Sequence, residues 1–424
     1  MIGALDSSKK EVTVVGAGIA GMLAAYSLDR SGYRVTLLEE KKRAGGLIQT
    51  RHTGNGLAES AAHSFIVTEP VRRLCHELDV ELVEPRKEAK AKYILRDGKL
   101  RRFPLSVSEA VGTFMHAALA RSASTPQTLD VWARRHLGQV ATEYLVTPFV
   151  RGIYGAQPTE LEAATAFPSL EFAAGKTLLG SMLTRRLHAR SPKEKKTLAA
   201  PRFGMGDLVG RLEQALEKRL GSRFRKGEKV HSLPDAPNVI IATPAYAAAQ
   251  LIRSVSPTLA DKLAAVRYTP IVSVTVFVER SSFTRPVHGV GVLMPQHEQT
   301  MSLGILFNSS SFAYRVSDES RIASFTVMLG GTAQLHWLTA SDDEIRQSIK
   351  LEMSNFLGIR EPLAVTIHRW PAALPQYSVT LRDAWTSARN SWCSTPGHLL
   401  AGNYTGQISL RGMIESSATL AIAS

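Results

Sequence analysis

Gly16, Gly18 and Gly21 fall at the spacing G-x-G-x-x-G, with Ala17 and Ala20 between them, and Glu39 follows 21 residues after Gly18. Each glycine in such a run has a mechanical task. Gly16 makes a tight turn, Gly18 lets backbone approach a pyrophosphate, and Gly21 lets a helix pack closely on a strand. The phosphates then sit over a helix N-terminus, where free N–H groups and the helix dipole favour negative charge. An acid about 20 residues further on holds a ribose hydroxyl and argues against a 2′-phosphate, hence against NADP. The pattern predicts a dinucleotide site and leaves NAD and FAD both open. No catalytic dyad stands out. Cys75 and Cys393 form no CxxC and no His/Cys cluster has zinc spacing, so no metal is expected.

The glycine run gains its meaning from the elements around it. Glu11–Val15 reads as a short buried strand, the stretch after Gly18 reads as helical to about Arg30, and 34–38 is a second strand closing on Glu39. Residues 71–78 predict an amphipathic helix, and Asp97-Gly98 predicts a hairpin turn between strands at 93–95 and 99–103. From about 106 to 200 the pattern is helical, with 3.6-residue apolar spacing over 109–121, 128–137 and 139–150. Residues 207–220 predict another helix and 238–243 a buried strand. Val272, Val274, Val276 and Val278 alternate with Ser273, Thr275 and Phe277 in a long strand, followed by strand-like runs at 289–294, 324–329 and 363–369. Ser341 with Glu344 three residues on marks the start of a helix to Leu357. A strand at 398–401 and a terminal helix complete the layout.

At 424 residues the chain exceeds the ~250–300 at which one core stops growing, so two or three domains are expected. Its 44% apolar and 21% charged residues fit a packed protein and exclude a disordered one. Lys plus Arg (51) over Asp plus Glu (37) gives +14, which favours anionic partners: acidic substrates, lipid headgroups or nucleic acid. Residues 1–10 lack the ~7–15-residue apolar run of a signal peptide. No run of ~18 apolar residues suits a spanning helix, which leaves peripheral attachment open.

Arg43-Ala44-Gly45-Gly46, directly after the acidic pair Glu39-Glu40, resembles the R-x-G-G stretch that lies against the cofactor in flavin proteins of the amine-oxidase type. That resemblance makes FAD the expected cofactor. Several further stretches resemble the flavin-dependent protoporphyrinogen and coproporphyrinogen oxidases, the oxygen-using type with the monoamine-oxidase fold. They are T-P-F-V-R-G-I-Y-G-A-Q-P at 147–158, L-E-A-A-T-A-F-P at 161–168, Phe203-Gly204-Met205-Gly206, Arg369-Trp370 with Ala373 and Pro375-Gln376-Tyr377, and Ala401-Gly402-Asn403-Tyr404-Thr405-Gly406. The resemblance runs from end to end. It implies an α/β fold class: a Rossmann-like FAD-binding domain from residues 1–80, 202–266 and 396–424, and a mixed-sheet substrate domain from 81–105 and 267–395. Residues 106–201 would form a helical, membrane-associating insertion.

The resemblance also implies roles for residues. Gly16, Ala17, Gly18, Ala20, Gly21, Glu39, Gly45 and Gly46 would hold the cofactor. Ala61, Ala62, His63 and Ser64 lie where the family has the loop E-x-G-P-x-S-F on FAD, with Ala61 and Ala62 replacing Gly and Pro. Val230 stands where a backbone meets adenine, Trp370 should sit near the flavin ring, and Gly402 lies in the G-N-Y-x-G loop. Ile408 would open the last helix, facing the flavin pyrimidine edge, and Ser417 stands where glycine is usual. Arg101 is the expected grip on a substrate propionate. The implied activity is oxidation of a porphyrinogen, protoporphyrinogen IX or coproporphyrinogen III, by removal of six electrons with oxygen as acceptor, in haem biosynthesis. The implied partners are the porphyrinogen, oxygen, a membrane surface and a second copy in a homodimer, with no nucleic acid. The membrane contact would use Phe114, Met115, Leu119 and the basic residues Arg185, Arg186, Arg190, Lys193, Lys195 and Lys196. The place would be cytoplasmic, peripheral to the inner face of the membrane. Two other readings stay open: a flavin amine oxidase or desaturase of the same fold, and a porphyrin-binding protein without catalysis.

Overall fold

The computed structural model describes residues 1–122, 126–170, 175–187 and 197–420. Five strands form a wholly parallel sheet in the order Phe224–Lys226, Arg34–Glu39, Glu11–Val15, Val239–Ile241, His398–Leu400. Numbered by position along the chain, this is the doubly wound order 3-2-1-4-5. The strands are short and apolar because a parallel sheet is covered on both faces. Val12, Val14, Val35 and Leu37 are fully buried. The helices Ile19–Arg30, Met205–Leu220 and Leu410–Leu420 pack together on the sheet. The sheet is thus assembled from segments far apart in the chain.

The second sheet has seven strands in the order Ala364–Pro375, Tyr268–Glu279, Ile322–Gly330, Ser302–Leu306, Gly291–Leu293, Lys92–Arg96, Lys99–Arg101. It is mixed: Gly291–Leu293 and Lys92–Arg96 run parallel and the other pairs antiparallel. The alternation in Tyr268–Glu279 sorts the two faces. Val272, Val274, Val276 and Val278 join Ile345, Ile349, Met353 and Leu357 of the helix Asp342–Leu357 in one core. Ser273 and Thr275 are buried on the other face, where the Ser273 hydroxyl donates to the Glu59 carbonyl (3.5 Å). The pairing with Ala364–Pro375 slips between Thr269 and Ile271, a bulge directly beside the Ile271–Trp370 pair.

Between the sheets runs a helical region with Val107–Leu119, Leu129–Leu137 and Leu178–Leu187. The helix expected over 139–150 extends to Tyr154 and contains a π-turn at Thr142–Val146. The helical reading fails at its far end. Thr197–Pro201 is a strand, paired with Phe65–Val67 and Leu82–Val83 in a small sheet. A short T-L-A-A-P run has no decisive period, and the neighbouring strand edges decide its state. Arg190, Lys193, Lys195 and Lys196 lie outside the described residues. No described helix is long and apolar enough to cross a membrane.

Candidate cofactor and substrate site

The parallel sheet reverses direction of winding between Glu11–Val15 and Val239–Ile241, and ligands bind in the crevice at the carboxyl ends of such strands. Gly16 lies there with φ +100°, and a Cβ on it would come 3.0 Å from the Ala242 carbonyl oxygen. At Gly21 a Cβ would lie 1.9 Å from the Gly16 carbonyl oxygen, so only glycine allows the helix this close to the strand. Gly18 differs. It has ordinary extended backbone, and nothing lies within 4 Å of an added Cβ. Gly18 is the N-cap of Ile19–Arg30, and no side chain caps the helix and no acid occupies its first turn. Ala17 and Ala20 are buried around this turn. The result is an uncapped helix N-terminus facing open space, which suits a diphosphate.

Glu39 closes the crevice on one side. Its carboxylate accepts from the N–H groups of Ala17 (2.7 Å) and Lys41 (3.0 Å), which leaves lone pairs for ribose hydroxyls. Glu228 N–H donates to the Glu39 carbonyl (2.9 Å), so the chain leading to Val230 runs along this acid. Gly45 N–H donates to the Ala17 carbonyl (2.7 Å), and a Cβ on Gly46 would approach Gly18 Cα at 3.4 Å. The R-x-G-G turn therefore lies directly on the glycine run. Ala401 N–H donates to the Ile241 carbonyl (2.9 Å), which brings Gly402 (φ +133°) to the same edge of the sheet. Ile408 does not open the last helix, which starts at Leu410. Its two-residue lead is chain entry, with the Ser409 hydroxyl accepting from Gly412 N–H (3.1 Å) instead.

The loop at 61–64 is fixed from behind. Ser60 is buried; its hydroxyl donates to the Leu47 carbonyl (2.7 Å), and its own carbonyl accepts from Trp370 Nε1 (2.8 Å). Trp370 on the second sheet thereby meets Ala61, Ala62, His63 and Ser64 on the first half of the chain. Neither Ala61 nor Ala62 adopts positive φ, so the replacement of Gly and Pro carries no backbone strain. Ser417 is also accommodated, buried with its hydroxyl donating to the Ile414 carbonyl (2.8 Å). Arg101 is not brought to this place. It lies on the outermost strand of the second sheet, exposed and 3.7 Å from Asp97, whereas Trp370 is on the opposite edge. Six strand spacings of ~4.8 Å separate the two edges, roughly 29 Å.

Sequence reading passed over a buried group beside the loop. The Glu59 carboxylate accepts from the Thr50 hydroxyl (2.7 Å) and Met205 N–H (2.9 Å), and Arg315 Nη1 is 3.8 Å away. Burial pushes Glu59 up to about 7, against the pull of Thr50, Met205 and Arg315. Burial and then Arg315 hold His63 down at about 4, so it is neutral. No local pattern marks Arg315, which reaches Glu59 only through the fold.

The sequence profile described as "Flavin containing amine oxidoreductase" matches residues 19–419. The chain belongs to this flavin-containing amine oxidoreductase family. Protoporphyrinogen oxidase 2, chloroplastic/mitochondrial, of Arabidopsis thaliana is 26% identical, over 98% of this chain and 93% of the relative. Protoporphyrinogen oxidase of Homo sapiens is 27% identical, over 98% of each chain. A crystal structure from Exiguobacterium sp. 255-15 superposes with a TM-score of 0.77 at 19% identity, covering 98% of both chains. Cyclohexylamine oxidase from Brevibacterium oxydans IH-35A superposes at 0.71 with 15% identity, covering 97% of this chain and 98% of its own. The cofactor of this family member is FAD, and the chain is a flavin oxidoreductase. The uncapped turn at Gly18 and the acid at Glu39 fit that cofactor, and FAD supplies hydride-accepting chemistry when bound.

Proposed function

We propose that this protein oxidises a porphyrinogen to the porphyrin, removing six electrons in three two-electron steps with oxygen as final acceptor. The observation that carries the reading is the Trp370–Ser60 hydrogen bond. It joins the Arg369-Trp370 segment, the part of the chain most like porphyrinogen oxidases, to the loop expected to lie on FAD. The full-length likeness to relatives named protoporphyrinogen oxidase supports the same reading. In it, Gly16, Gly18, Gly21 and Glu39 hold the diphosphate and ribose, Gly45, Gly46, Val230 and Gly402 line the cofactor, and residues 61–64 with Trp370 flank the flavin ring. Segments 1–80, 202–266 and 396–424 carry the cofactor, and 81–105 and 267–395 the substrate. The protein's contribution is to hold an apolar macrocycle against the flavin and keep water out. Arg101 is placed too far from Trp370 to grip a propionate on the same ring.

We further infer contact with a membrane surface. The helix Val107–Leu119 buries only Ala117 and exposes Val107 (83%), Val111, Phe114, Met115 and Leu119 (67%) along one side. An apolar stripe on a chain of charge +14 suits an anionic lipid surface. The function is tested by incubating the flavin-loaded protein with protoporphyrinogen IX and with coproporphyrinogen III side by side. Oxygen-dependent growth of porphyrin fluorescence from one of them is expected. A protein that holds flavin and turns over neither refutes the reading.

A further inference from the structure

Beside the 61–64 loop lies a pocket of about 40 Å³ lined by Glu59, His63, Ser64, Asn308, Ser311 and Arg315 together with apolar side chains. That is room for a water, which needs ~10–15 Å³ and 2–4 polar partners. Two buried atoms on it make no hydrogen bond: His63 Nε2 and Arg315 Nη1. Arg315 is otherwise committed, its Nη2 donating to the carbonyls of Pro201 (2.6 Å) and Arg202 (3.0 Å) and its Nε to that of Ala313 (3.3 Å). Buried polar atoms are rarely left unpaired, and two such atoms facing one carboxylate define a hydrated polar site. A water there would accept from Arg315 Nη1 and from an Nε2–H of His63 and donate to Glu59.

We propose that His63, with Glu59 behind it, takes up the proton that leaves a pyrrole nitrogen of the substrate in each two-electron step, while Arg315 fixes the charge of the pair. This rests on the porphyrinogen reading. In each step a carbon gives up a hydride and the pyrrole N–H breaks. Its electron pair stays on nitrogen to form the new C=N bond, and its proton bonds to His63 Nδ1. The proton on Nε2 passes to the water, and one from the water to the Glu59 carboxylate. The charged groups on the pocket are Glu59 and Arg315; Thr50, Ser64, Asn308 and Ser311 face it without titrating. A neutral imidazole can accept a proton, and a carboxylate that titrates near neutrality can store and release it. Sequence supports the specificity of the device, since His63 directly follows the Ala61-Ala62 replacement in this chain.

The test uses the flavin-loaded protein with ¹⁵N-labelled histidine. The NMR signals of His63 should report a neutral ring at neutral pH and shift with an inflection near pH 7 as Glu59 titrates. E59Q should abolish that inflection. H63A should slow the anaerobic bleaching of the flavin by porphyrinogen about 100-fold, and added imidazole should restore it. A His63 signal that stays flat between about pH 6 and 8 overturns the relay, as does bleaching at the parent rate in H63A. If the parent protein is bleached by no porphyrinogen, the functional reading falls instead, and the histidine titration still decides whether the two groups are coupled.

Discussion

The replacement G18A separates the cofactor's needs from those of the fold. Gly18 has φ −64° and ψ 170°, which any L-residue adopts, and an added Cβ meets nothing within 4 Å. Without flavin, the variant should be as stable as the parent or about 0.4–1 kcal/mol more stable, because alanine narrows the unfolded ensemble. The methyl group, however, projects into the space that a pyrophosphate must enter. Losing one charge-assisted hydrogen bond there costs ~1.5–3 kcal/mol, so FAD should bind roughly 10- to 150-fold more weakly. G21A makes the opposite error. Its Cβ would lie 1.9 Å from the Gly16 carbonyl oxygen and 3.0 Å from Ala242 Cβ, so helix and strand must part. That costs at least the ~1–3 kcal/mol of overpacking, with or without flavin. Flavin-fluorescence titration gives the affinities and thermal melts of flavin-free protein give the stabilities. A G18A protein that binds FAD as the parent does refutes the placement of the diphosphate, and so does one that melts far below it.

Three further outcomes follow from other parts of the molecule. Glu59 sits near 7 when folded and near 4.5 when unfolded, so the folded state binds more protons between those values and stability falls as pH rises through them. His63 sits near 4 when folded against 6.5 unfolded, and its contribution rises with pH over about the same window. Each is worth roughly 3 kcal/mol at full extent; they offset one another in the parent. Denaturant titrations across pH should therefore show stability rising from 4 to 6.5 in E59Q and falling from 4.5 to 7 in H63Q, and two flat profiles would sink the argument. R382A strips the partner from Glu162, which is 2% exposed and otherwise bonded to Thr165. The orphaned carboxylate should cost about 3 kcal/mol, with recovery in R382A/E162Q by chemical denaturation. Combining F114D and L119D should lower sedimentation with anionic vesicles while leaving stability within about 0.5 kcal/mol, since both side chains are exposed.

The first forty residues were legible because their information is local. A strand, three glycines, a helix and an acid at fixed separation describe a unit whose backbone geometry follows from conformational freedom at Gly16 and the close contact at Gly21. The long alternating strand at Tyr268–Glu279 and the helix Asp342–Leu357, whose Ser341 hydroxyl accepts from Glu344 N–H (3.1 Å), are local in the same sense. The errors also have local causes. Thr197–Pro201 has no period of its own and is a strand because two other strands border it. The helix start slipped from Ile408 to Leu410 because its first turn was read from family likeness, not from a cap.

What the sequence determined by itself was the dinucleotide turn, the alternation of the second sheet and the charge of the surface. Only the tertiary structure decided which distant segments share a site. Trp370 meets Ser60 and Arg315 meets Glu59 across hundreds of residues, while Arg101, attractive by its type and its turn, ends at the far edge of its sheet. The reason is that periodicity fixes which side of an element is buried, whereas strand order and the packing of one sheet against the other fix what that side touches.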